Sequence, residues 1–478
     1  MPSWHGMVPN ERYDLPSESE TKAWEDGMRA RSGSLCPATG RSRSLACAAA
    51  ATVVALFFGS AAWAANAPAL RLIKIIPING TAASPNTRMF SFDISWWDPV
   101  TQLYFLADRS NAALDVVDTK TDTLFGQIGG PAPNGAGFAG DTGSTNTSGP
   151  NGVTVSPNPN VPCIFATDGP SRVVSFNYKV SFTAVVSSMN TGGKNRADEL
   201  AFDPRDNLLL TINNADTPPF GSLFSVSSTC VLGPPKQVPL TAVNPTNGAE
   251  QPVWNPMTQR FYVSIPEVNG SGPHGGVAQI NTNGVIDNFF PINFVSPAGL
   301  TLGPNGDLLV GGNLTFDTSG NPCTNVVTSA TSPVFTLPNC PGIAFPQVAI
   351  CNPGRGCTGN ALVSVPGVGD GDEVWFNPGD GNYYVTAGNH PIAPVLGVIA
   401  SGANTPPNTL TQLVPTLYAQ PPVGATATHN FAHSQGTVHS VAASAVNNHV
   451  YVPLPANTAY NINGVNCSQG CIAVFSAQ

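Results

Sequence analysis

Three observations predict an all-β fold for this 478-residue chain. Only 10% of its residues are charged, 48 Gly and 46 Pro make up about a fifth, and a strand–turn–strand pattern recurs seven times. Coiled coils and helical bundles need abundant Ala, Glu, Lys and Leu, so this composition excludes them. Disorder is excluded too, because 41% of residues are hydrophobic and the net charge is only −9. With 19 Lys+Arg against 28 Asp+Glu, no basic surface is available for nucleic acid or anionic lipid. A repeat near 50 residues, with two strands visible at the start of each unit, is the signature of propeller blades. The predicted architecture is a seven-bladed β-propeller.

Residues 1–64 read as an N-terminal extension and secretory signal peptide. The apolar run Leu45–Gly59 follows Arg29, Arg31, Arg41 and Arg43 and precedes Ala62-Trp63-Ala64, small residues at both positions a signal peptidase reads. At about 15 residues the run is short for a membrane span. The polar stretch before Met28 is unusual for a signal peptide, which leaves Met1, Met7 and Met28 as candidate starts. Cleavage near Ala64 leaves residues 65–478 as one propeller domain, periplasmic or secreted, without a membrane span. Its oligomeric state is not written in the sequence.

The run Leu70–Ile78 has no inner-strand repeat before it. The seventh repeat contributes strands near Ser440–Ser444, His449–Leu454 and Cys471–Ala477, one short of four. The N-terminal run is therefore expected to pair with Cys471–Ala477 as the outer strand of the last blade.

The seven copies begin at Phe92, Pro150, Ala197, Ala249, Pro297, Gly371 and His439. Their turn prolines are Pro99, Pro157, Pro204, Pro256, Pro304 and Pro378, with Ala445 aligned in the seventh copy. The residue before each is Asp98, Ser156, Asp203, Asn255, Gly303, Asn377 or Ser444, all types that close a turn.

Eight cysteines remain after cleavage, and an even number in an exported chain reads as disulfides. Cys323/Cys340, Cys351/Cys357 and Cys467/Cys471 are close enough to pair locally. Cys163 and Cys230 are then a long-range pair or two buried thiols. Residues from about 321 to 357 read as a Cys-bearing insertion in the fifth blade. No C-x-x-C-H haem site, no Walker A loop and no G-x-G-x-x-G directly after a strand occurs, so neither haem nor nucleotide is expected.

Leu103–Ile128, LYFLADRSNAALDVVDTKTDTLFGQI, resembles the YVTN-type repeat of seven-bladed propellers. The wider group it is similar to includes lactonase-type and streptogramin-lyase-type propellers, together with members that only bind or scaffold. The resemblance implies a divalent metal near the top of the channel in the catalytic members.

The residue six positions before each turn proline starts the inner strand at the top of the channel. That column reads Asp93, Asn151, Asp198, Glu250, Ala298, Asp372 and His439; the next adds Glu199, Gln251 and Glu373. Crowded carboxylates repel unless a cation or donor compensates. Asp198, Glu250 and Glu373 offer hard oxygen ligands for Ca²⁺ or Mg²⁺, and Zn²⁺ enters only if His439 joins. The long loops, and with them His274, His390, His429, His433 and His439, fall on the same top face.

Two functions follow. In one, the acidic mouth binds a small or polymeric ligand without chemistry. In the other, a metal-dependent hydrolase or lyase uses His439 or His390 to move the proton. Against both stands a ring that merely bonds the backbone of neighbouring blades. Asp198, Glu199, Glu250, Asp372, Glu373 and His439 are expected to converge in one pocket, with His390 at its rim.

Overall fold

The computed structural model describes residues 69–80, 88–130, 132, 135–293, 295–316, 319, 321, 347–369, 371–388, 394–404, 407–416, 438–458 and 460–477. The segment expected to be a signal peptide, His390, His429, His433 and the expected Cys323/Cys340 pair lie outside them.

Among the described residues the chain forms seven four-stranded antiparallel sheets. The first blade runs Ser95–Asp98, Leu103–Asp108, Ala113–Asp118 and Thr123–Gly129 from the axis outward. Five further blades repeat that order. The inner strands of the second to sixth are Val153–Val155, Leu200–Asp203, Pro252–Asn255, Val295–Leu302 and Val374–Asn377.

The seventh blade is assembled from both ends of the domain. Its order is Ala442–Ala443, Val450–Leu454, Cys471–Ala477 and then Leu70–Pro77. Leu70 lies opposite Ala477 and Pro77 opposite Cys471, with one register shift between Leu72 and Lys74. The ring is therefore closed by backbone hydrogen bonds rather than by side chains alone.

The repeated turn is built as its residue types require. Asp98 Oδ2 accepts the Thr101 N–H at 2.7 Å, Asp203 Oδ1 that of Arg205 at 2.8 Å, and Asn255 Oδ1 that of Met257 at 2.9 Å. Gln102, Asn207, Gln259, Asn305 and Asn448 then take positive φ to return the chain. Asp98 also accepts the Thr101 hydroxyl at 2.6 Å. Asp98→Ala removes both bonds and is expected to cost about 1–2 kcal/mol. Asp98→Asn should recover most of that in urea denaturation.

Alternation along the strands places apolar side chains between blades, and seven buried clusters occupy the seven interfaces. Ile76, Phe92, Trp97, Tyr104 and Val474, for example, fill the seam between the last blade and the first. Each such side chain contributes roughly 1.5–3 kcal/mol on burial.

Cys163 and Cys230 are disulfide-bonded with Cα atoms 5.5 Å apart, joining the second and third blades within their shared core. Cys351–Cys357 and Cys467–Cys471 are local bridges. The fifth-blade insertion is narrower than expected from the sequence. Gln347–Cys351 pairs with Leu308–Val310 as a regular third strand, and Leu362–Pro366 is the outer one. No helix among the described residues is long and apolar enough to cross a membrane.

Candidate functional site at the channel mouth

At the start of the inner strands two residues oppose one on the second strand. Asp198 N–H donates to Ile212 O at 2.8 Å, while Ile212 N–H donates to Glu199 O at 2.9 Å. The same bulge recurs at Asp93–Ile94 opposite Ala107, Asn151–Gly152 opposite Thr167 and Glu250–Gln251 opposite Ser264. Bulges re-aim side chains at the rims of sheets. Adjacent acids such as Asp198 and Glu199 both contribute to one mouth for this reason, where a flat strand would send them to opposite faces.

Two arginines organise the upper layer. Arg109, only 1% exposed, pairs with Asp93, donates from Nε to Asn151 Oδ1 at 2.8 Å, and stands 4.0 Å from Asp198. Arg196 Nη2 reaches Asp198 Oδ2 at 2.8 Å. His439 lies between two carboxylates, with Nε2 2.8 Å from Asp93 Oδ1 and Nδ1 3.1 Å from Asp372 Oδ2. The chain of charge thus passes from the sixth blade through the seventh and first to the third.

These contacts fix the protonation states. Burial works to raise the Asp93 carboxyl, yet Arg109 and His439 outweigh it and hold it well below the usual carboxylate range. Burial opposes charge on His439, but Asp372 and Asp93 outweigh that and raise it to about 10. His439 is consequently an imidazolium donating from both nitrogens, a geometry that does not suit a general base. Burial raises Asp198 against the pull of Arg196 and Arg109.

The second set of acids has no salt-bridge partner among the described residues. Burial, then the neighbouring Glu373 and Glu250, pushes Glu199 well above its ordinary value. Burial also pushes Glu373 well above its usual value, against the pull of His439. Burial followed by Asp198 and Asp372 brings Glu250 to about 8. Gln251 Nε2 crosses from the fourth blade to Glu373 Oε2 on the sixth at 3.1 Å, so this layer spans the channel. Glu250 Oε2 meets Asn214 Nδ2 at 3.4 Å. Among the described residues, Glu199 Oε2 is buried without a hydrogen-bond partner.

Two residues deeper on the inner strands the lining turns apolar. Ala201, Val253 and Ala442 are small, whereas Trp96 and Trp375 are large and half-buried. Their rings meet edge to face at 5.2 Å between centroids. They come from the first and sixth blades and meet past the alanines of the seventh.

The expected convergence of Asp198, Glu199, Glu250, Asp372, Glu373 and His439 corresponds to this cluster. Asn151 and Asp93 are buried within it as partners of Arg109. His274 stands apart at the start of the third strand of the fourth blade, with Nδ1 2.9 Å from Asn293 Oδ1. The sequence reading missed Arg109 and Arg196. Arg196 lies two positions before the acid column and Arg109 in the Asp-Arg-Ser-Asn corner after the second strand.

The donor set departs from a cage for a hard cation. Asp198 is engaged by Arg196, while no salt bridge reaches Glu250 or Glu373 among the described residues. Among the described residues no group of three or more His, Cys, Asp or Glu is arranged to hold a metal.

Comparison with known proteins places the fold and nothing finer. No family model and no curated protein matches the chain. The chain is similar to hydrazine synthase of Kuenenia stuttgartiensis, with a TM-score of 0.54 and 12% identity over 78% of this chain and 95% of that one. The fold is a seven-bladed propeller. A chain of the mitotic checkpoint complex aligns over 92% of this chain and 99% of its own, at 10% identity and a TM-score of 0.49. At 12% identity the likeness to hydrazine synthase speaks for the fold alone, since propellers host many unrelated functions.

Proposed function

We propose that the protein is an exported propeller of the YVTN type whose channel mouth binds a small or polymeric ligand. One observation carries this reading. Among the described residues six carboxyl groups meet three cations there, and Glu199, Glu250 and Glu373 have no salt-bridge partner. A ring that only braced the blades would need paired acids. Buried unmatched acids cost stability, and such costs gather at functional sites. Half-buried Glu250 and Asp372 are the reachable rim, over a floor of Glu199 and Glu373. The three disulfides among the described residues suit an oxidising compartment.

The reading is tested by Glu250→Gln combined with Glu373→Gln. If these acids serve a ligand, removing their repulsion should raise stability by about 0.5–2 kcal/mol, as when active-site strain is relieved. A lowered melting temperature would make them structural and end the proposal. Metal analysis of the same pair separates the hydrolase or lyase reading. That alternative requires stoichiometric Ca²⁺, Mg²⁺ or Zn²⁺ in the parent protein and its loss in the double variant.

A further inference from the structure

We propose that the upper channel takes an organic cation, an alkylammonium or guanidinium group, with its charge among Glu199, Glu250 and Glu373 and its alkyl part on Trp96 and Trp375. This rests on the reading of the mouth as a binding site and adds the class of ligand.

Charge decides the sign. Arg109 and Arg196 are already engaged by Asp93 and Asp198, so no free cation is left among the described mouth residues to attract an anion. The other charged groups facing the three glutamates are Asp372 and His439, which pair with each other. Among the described residues, three carboxyls remain whose charge is left to protons or to an incoming positive charge.

Geometry supplies two independent supports. Glu199 is 5% exposed, and its Oε2 is buried with no hydrogen-bond partner among the described residues. Its strongest charged neighbours are Glu373 and Glu250, so that oxygen belongs to the unmatched set. Secondly, the half-buried Trp96 and Trp375 lie two residues deeper, about 7 Å along an extended strand. Carboxylates above and indoles below are the surroundings that recognise an organic cation, through charge at one end and ring faces or apolar contact at the other. A bare divalent ion makes no use of the indoles and requires several oxygens in fixed geometry. An ammonium group asks only for acceptors within reach.

Binding must then displace protons from the glutamates. Agmatine is a suitable probe, since it carries guanidinium and ammonium groups on a four-carbon chain, with 1-butanol as the uncharged comparison. Calorimetric titration of the purified protein at pH 6.5, 7.5 and 8.5 should show saturable agmatine binding and none of 1-butanol. Affinity should rise up to about tenfold per pH unit for each proton displaced. Tryptophan fluorescence should change at the same midpoint. Glu199→Gln and Glu373→Gln should each weaken agmatine at least about tenfold, the order expected for one buried charge contact, with melting temperatures checking that both fold.

Absence of saturable heat up to 10-millimolar agmatine (about the weakest affinity of interest) would overturn the inference. So would an affinity independent of pH or of Glu199. If a neutral sugar binds instead and is lost in the Glu250→Gln/Glu373→Gln pair, the mouth remains a binding site and only the cation assignment falls. If that pair merely loses stability, both readings fall together.

Discussion

Arg109→Met should cost about 3–5 kcal/mol of unfolding free energy, the usual penalty for removing one member of a buried ion-pair network. The arginine is 1% exposed and serves Asp93 and Asn151 at once, with Asp198 4.0 Å away. Methionine fills similar volume, so the loss reports charge rather than a cavity. Arg109→Lys keeps the charge but cannot reach two partners in one plane, and should recover only part of the loss. Urea denaturation of the three proteins decides it. A cost below about 1 kcal/mol, the value of an exposed pair, would mean that water already screens the mouth.

The second large effect is on pH. Glu250 titrates at about 8 in the fold against 4.5 ordinarily, and burial also raises Glu199 and Glu373 well above their ordinary value. A carboxyl with a raised folded value keeps a proton that the unfolded chain has lost, so stability falls as pH climbs from the unfolded value to the folded one. His439 acts in the same direction: its contribution is full below 6.5 and is lost as pH rises to about 10. Asp93, held low, matters only in strong acid. The melting temperature should therefore fall from pH 5 to pH 9, most steeply above 6.5, where Glu250 and His439 titrate together. Glu250→Gln should flatten the part below pH 8. A melting temperature that is level or rising over that range would refute these proton assignments.

The fold was legible because each blade repeats the same local instructions. Asp98, Asp203 and Asn255 close their turns by side-chain bonds that any one copy would suggest. The acids were legible for the same reason, since equal register under a pseudo-sevenfold axis means equal height. What escaped the sequence were features that do not repeat. Arg109 and Arg196 occur once each, at unrelated positions, and their guanidinium groups neutralise the Asp93 and Asp198 part of the acidic ring. The bulges escaped because nothing in Asp198-Glu199 says that both residues oppose Ile212; simple alternation would have separated them. Trp96 and Trp375 share a register, but whether they meet depends on the small Ala442 between their blades.

Closure of the ring through Leu70–Pro77 also bears on how the chain comes to be folded. Most pairings join strands a few residues apart, whereas Leu70 finds its partner at Ala477, the other end of the domain. The entropic cost of closing so long a loop grows only with the logarithm of its length, so the final state loses little by it. Time is another matter, because pairings so distant in sequence form slowly. Until residues 471–477 are made, the seventh sheet has no third strand and the first strand has nothing to join. The last-made strand thus acts as a clasp, and a chain still being synthesised remains an open arc of blades.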